Sequence, residues 1–128
     1  MHLAYWESHW DQWWGYGLFF VATGAGQALL AAALVRRPGR AVVLAASPTT
    51  WGIVDMYAMS RTVGVPVGPL AGIAERAGTI DLAVTALEIV VVGLLLASAG
   101  RTARRAIVNA MLGAGVLLWA LRLTDHLA

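Results

Sequence analysis

The chain has 128 residues, of which 59% are hydrophobic and only 12% charged, with a formal net charge of +2. A mean hydropathy of +0.71 is far above what a soluble domain needs, so one integral membrane domain is expected over residues 1–128. All nine basic residues are arginine and most stand against apolar runs, which makes the basicity a topology signal and excludes nucleic acid as the expected partner. There is no cysteine, which removes disulfides, thiolate metal ligands and dithiol redox chemistry together.

The N-terminal stretch carries Glu7 and Asp11 before its first apolar run instead of a positive segment, so a cleaved secretory signal is not expected. HLAYWESHWDQWW reads as an amphipathic helix lying in the outer interface, with Trp6, Trp10 and Trp13 on one face and Glu7 and Asp11 on another. Tryptophans of this kind anchor at the headgroup level, and a ligand-stacking platform is the sharper alternative.

A helix needs about 20 mostly apolar residues to cross the hydrocarbon. Four stretches qualify: 14–35, 41–60, 80–99 and 106–124. The short loops RRPGR (36–40) and RTARR (101–105) join the first to the second and the third to the fourth, predicting two antiparallel hairpins in one all-α, four-helix bundle. Each of those loops carries three arginines and no acid, so both are expected in the cytoplasm, with both termini and the loop 61–79 outside a plasma membrane.

Small residues recur four apart: Gly24, Ala28 and Ala32 in the first span, Gly93 and Ala97 in the third, Ala110 and Ala114 in the fourth. They are expected to pack helices within the chain, with a homo-oligomer contact as the alternative. Gln27 and Asn109 are neutral polar groups at depth and are expected to hydrogen-bond between helices.

The acids carry the chemistry. An ionisable residue inside a bilayer costs on the order of 3 kcal/mol on insertion scales, so each needs a partner, a wet cavity or a function. Asp81, Thr85 and Glu88 fall on one face of the third span, and Glu88 approaches the midplane. In the second span Pro48 opens the backbone ladder, with Ser47, Thr49 or Thr50 available to compensate, and Asp55 follows two turns later. Arg61 and Arg122 are the countercharges. Two readings stand: a structural network tying the helices together, or an outward-facing polar pocket of Glu88, Asp81, Asp55, Arg61 and Arg122 that binds a small ligand or cation, with proton coupling through Glu88. Gln27 would lie beneath Glu88 if it points inward.

His9 and His126, with Met56 or Met59, raise copper, zinc or haem binding as a further option. No nucleophile motif, phosphate loop or HExxH pattern is present, so no enzymatic reaction is assigned. Small size without a catalytic motif also fits an accessory or assembly subunit docking on a larger membrane complex.

The loop RTVGVPVGPLAGIAERAGTID is dense in glycine and proline and is expected to cover the outer mouth of the bundle. Here the chain resembles a family of small multi-pass membrane proteins of high-GC Gram-positive bacteria. The resemblance rests on the tryptophan-rich start leading to WGYGLFF and Gln27, on SRTVGVPVGP, and on Glu75 followed by GTIDLAVTALE, about two thirds of the chain. It implies a multi-span membrane fold, draws attention to Arg61, Pro66, Gly68, Pro69, Glu75, Asp81 and Glu88, and carries no assigned activity.

Overall fold

The computed structural model describes residues 6–37 and 39–124, with side chains from residue 9 onward. Five helices follow in chain order: α1 (Trp6–Gln12), α2 (Trp14–Arg36), α3 (Arg40–Thr62), α4 (Thr79–Ser98) and α5 (Arg101–Leu123). Three of them, α2, α4 and α5, are long and apolar enough to cross a membrane. By length and composition this is a helical membrane protein.

The fourth expected span, α3, has the same 23-residue length as α2 and α5 but not their composition. Ser47, Pro48, Thr49, Thr50 and Asp55 occupy its middle. Its position accounts for this: α3 is the helix on which α2, α4 and α5 all pack, whereas α4 and α5, though consecutive, touch little. Ala46, Ser47, Thr50, Ile53, Val54, Met59 and Ser60 of α3 are buried, and Met59 has no exposed surface. The apolar core joins α4 to α5 through Val92, Ile107 and Met111, with Val43 and Trp51 of α3 packed against it.

α3 runs through Pro48 as one helix. The missing N–H leaves the Leu44 carbonyl without its helical donor. The neighbouring hydroxyls bind the flanking carbonyls instead: Ser47 Oγ donates to Val43 O at 2.8 Å and Thr49 Oγ1 to Ala45 O at 2.8 Å.

The tryptophan-rich start is helical, but the helix is shorter than the sequence suggests. α1 ends at Gln12, and Trp13 is extended (φ −170°, ψ 131°), so Trp13 does not continue a Trp10 face. α1 folds back on α2 instead. His9 stacks on Phe20 with centroids 4.3 Å apart, and Trp10 covers Gly17, where an added Cβ would fall 2.4 Å from the Trp10 ring. Trp13 meets Tyr16 edge to face at 5.0 Å.

The connection 63–78 is a built structure. Gly64, Gly68 and Gly72 all have positive φ, and a Cβ on Gly64 would lie 2.3 Å from Ile73 N, so that crossing admits only glycine. The loop is fastened to three helices. The Tyr16 hydroxyl donates to Val67 O and accepts from Leu70 N (3.0 and 3.1 Å), Glu75 N donates to Ser60 O (2.9 Å), and Arg122 Nη2 donates to Val63 O (2.9 Å).

The small-residue stripes do not pack within the chain as expected. Ala28, Ala32, Gly93, Ala97, Ala110 and Ala114 are exposed, and an added Cβ on Gly93 would meet nothing within 4 Å. Hydrocarbon and protein interior are equally apolar, so a small residue is compatible with either neighbour.

Gly64→Ala should destabilise the fold by at least about 1 kcal/mol, because it adds both positive-φ strain and a backbone clash. Tyr16→Phe, which strips two loop hydrogen bonds, should cost about 1–3 kcal/mol. Thermal unfolding of the purified protein in mild detergent reads both; a Gly64→Ala midpoint equal to the parent's would contradict this account of the loop.

Candidate functional site

The polar residues singled out from sequence are divided among several places. At the end of α3, Arg61 is the hub of an ion-pair cluster: Nη1 lies 2.7 Å from Glu75 Oε2 and Nη2 lies 3.2 Å from Asp81 Oδ2. Nη1 also donates to Arg76 O at 2.9 Å, and the guanidinium sits over the Tyr57 ring at 5.0 Å. Asp81 does a second task by accepting from Gly78 N at 3.2 Å, which caps the start of α4. Both terminal nitrogens of Arg61 thus fasten the loop and α4 to α3, while its buried Nε has no hydrogen-bond partner among the described residues. Glu75, singled out in the sequence by the resemblance alone, is half-buried and belongs to this cluster.

Glu88 lies two turns further along α4, about 10 Å from Asp81 at helical rise. It is 7% exposed, and its Oε1 accepts a hydrogen bond from Gln27 Nε2 of α2 at 2.9 Å. This places Gln27 where the sequence reading wanted it, against Glu88. The hydrogen bond has a structural peculiarity: α2 and α4 do not pack on each other, and both lean on α3. Gln27 and Glu88 therefore bridge a groove.

That groove has a volume of about 280 Å³ and is lined by Leu30, Ala31 and Leu34 of α2, Ala46 and Thr50 of α3, and Val84, Leu87, Val91 and Leu95 of α4, besides Gln27 and Glu88. From Val84 to Leu95 it runs about 16 Å along the helix axis. Its polar groups, Glu88, Gln27 and Thr50, lie toward the Val84 end and its aliphatic groups toward the arginine loops. Thr50 is buried and, unlike Ser47 and Thr49, makes no hydrogen bond back to its own helix.

Asp55 and Arg122 stand elsewhere. Asp55 faces α5, where a Cβ on Gly115 would come 2.9 Å from Asp55 Oδ2, so glycine at 115 gives the carboxylate its room. Arg122, besides its bond to Val63 O, reaches Gly72, whose added Cβ would lie 2.9 Å from Nη2. The structure thus brings Arg61 and Asp81 together, and sets Glu88, Asp55 and Arg122 in separate surroundings.

For metal binding, His9 is engaged in its stack with Phe20, and His126 lies outside the described residues, as do His2 and Asp125. Among the described residues no three His, Cys, Asp or Glu side chains gather closely enough to hold a metal ion. The segment 101–105, expected from the sequence as a loop, is instead the first turn of α5, so only Ala99 and Gly100 connect it to α4. Arg104 reaches back to cap the end of α4, its Nε donating to Leu96 O at 2.9 Å and its Nη2 to Ala99 O at 3.3 Å.

Arg61→Ala should destabilise the protein by about 1–3 kcal/mol, because it leaves two neighbouring carboxylates without a countercharge. Adding Asp81→Asn and Glu75→Gln to Arg61→Ala should recover part of that loss. Thermal midpoints of the three proteins decide it, and a triple variant no more stable than Arg61→Ala alone would contradict the ion-pair account.

No protein-family model matches the chain, and no curated protein or solved structure matches it. The resemblance carried by SRTVGVPVGP and GTIDLAVTALE thus rests on the sequence pattern alone.

Proposed function

We propose that this is a four-span plasma-membrane protein that binds a small, largely apolar molecule through Glu88, in a groove open sideways between α2 and α4. The observation that carries the reading is the Gln27–Glu88 hydrogen bond between helices whose backbones do not approach closely. A carboxylate acts as an acceptor when ionised, so the group it selects in a ligand is a hydrogen-bond donor or a cation such as an amine. The aliphatic length of the groove suits the rest of such a molecule. Gln27 holds Glu88 in place when no ligand is there and yields when a stronger donor arrives.

Membrane geometry supports α3 as the fourth span. Its 23 residues cover about 34 Å at helical rise, enough for a hydrocarbon core of about 30 Å. Three apolar helices shield its polar middle from lipid. Gly39 and Arg40 line the same depression as Gly100, Arg101 and Thr102, so the two arginine loops adjoin at one end, as cytoplasmic loops of two antiparallel hairpins would. Both termini and the loop 63–78 then face outward. Relative to an outward-opening pocket, the proposed site lies inward and sideways, because Arg61, Glu75 and Asp81 are paired with one another.

Native mass spectrometry of protein purified in mild detergent tests this directly. The parent should retain a small-molecule adduct that Glu88→Gln holds at least about tenfold more weakly, while Gln27→Leu alters affinity and Arg61→Ala affects stability alone. A bare parent, or equal retention by parent and Glu88→Gln, would overturn the reading; a stoichiometric second protein would favour the accessory-subunit alternative. Orientation is read separately by membrane-impermeant labelling of Gly39→Cys and Ala77→Cys: outside reagent should modify position 77 and leave position 39 unmodified.

A further inference from the structure

One face of α5 poses a problem the single chain does not solve. Thr102, Ala106, Asn109, Gly113, Val116 and Ala120 recur at spacings of four, three, four, three and four, and all six are exposed. The repeat of 3.5 residues is the seam of a left-handed helix pair. It lies opposite the face that carries Ile107 and Met111 into the core. α5 is one of the helices apolar enough to span the membrane, so this seam faces hydrocarbon.

Asn109 sits in it about 6 Å beyond Arg105 at helical rise. Its amide makes no hydrogen bond among the described residues, whereas the other amide within a span, Gln27, has its partner in Glu88. An amide whose two donors and acceptor are left facing lipid is disfavoured.

We infer that the seam of α5 packs against α5 of a second copy, with the two Asn109 side chains hydrogen-bonded to each other. The argument for a second copy is self-complementarity. All copies share one orientation in the membrane, so a two-fold axis along the membrane normal brings identical depths together. An amide is both donor and acceptor and can pair with itself; a carboxylate or a guanidinium cannot. The residues around it are small: alanine at 106 and 120, and at 113 a glycine where an added Cβ would meet nothing within 4 Å. Small residues let two backbones approach closely enough for short side chains to bond. Val116 is 70% exposed and supplies the apolar contact further along the seam. The seam is separate from the groove at Glu88, which lies between α2 and α4.

The full chain has no cysteine, which makes it suited to disulfide mapping in native membranes. Ala106→Cys and Val116→Cys should give cross-linked homodimers, and Leu94→Cys, on the exposed face of α4, should not. Asn109→Leu should weaken association about 3- to 30-fold, the range for one interhelical hydrogen bond in a bilayer, while Asn109→Gln stays within about threefold of the parent. Association is read as donor–acceptor energy transfer over a series of protein-to-lipid ratios. The inference is overturned if the parent stays monomeric, if position 94 cross-links as readily as position 116, if position 116 captures a different protein, or if Asn109→Leu associates as the parent does.

Discussion

Hydrocarbon offers no hydrogen bonds, and the arrangement of this protein follows from where its polar groups go when water is absent. The central helix α3 carries serine, threonine, proline and aspartate through its middle, a composition that could not face lipid. It is therefore the helix around which the other three long helices gather. Because α2 and α4 both rest on α3 without close backbone approach, a groove remains between them, and Glu88 of α4 lines it. Gln27 closes the gap electrostatically with one charge-assisted hydrogen bond. Groove and polar contact are thus two consequences of one packing choice.

At the end of the helices opposite Arg40 and Arg101 the same constraint is met with a different solution. Arg61, Glu75 and Asp81 satisfy one another at half-exposed positions, where the contribution of each pair is modest but the geometry is shared by three elements. Together with Tyr16 and Arg122, which bind loop carbonyls, they make the end opposite the arginine loops a rigid cap. Ion pairs shared in this way position the loop and α4 on α3.

Much of this was legible in the residues themselves. Apolar run lengths located the long helices within a few residues, and the arginine-only loops marked their shared end. Glu88 was conspicuous as a charge within an apolar run, whereas Gln27 could be set beneath it only on the condition that it points inward. What the sequence did not reveal depends on side-chain direction and long-range register. The partnership of Glu75 with Arg61 requires knowing how a 16-residue loop folds back, although three glycines at intervals of four signalled a sequence of positive-φ turns. The stop at Trp13 escaped because tryptophan is a tolerable helix former and nothing in its neighbours announces a break. The direction of the small-residue stripes was not readable because lipid and protein interiors reward the same residues.

The central claim is that Glu88 is held from across the groove by Gln27, and a double-mutant cycle measures that contact alone. Thermal stabilities of the parent, Gln27→Leu, Glu88→Leu and the double variant in one detergent should show a coupling of about 1 kcal/mol, with the double variant less damaged than the two single losses together. Additive losses would mean that the two side chains do not meet, and the groove with its bridging hydrogen bond would have to be abandoned.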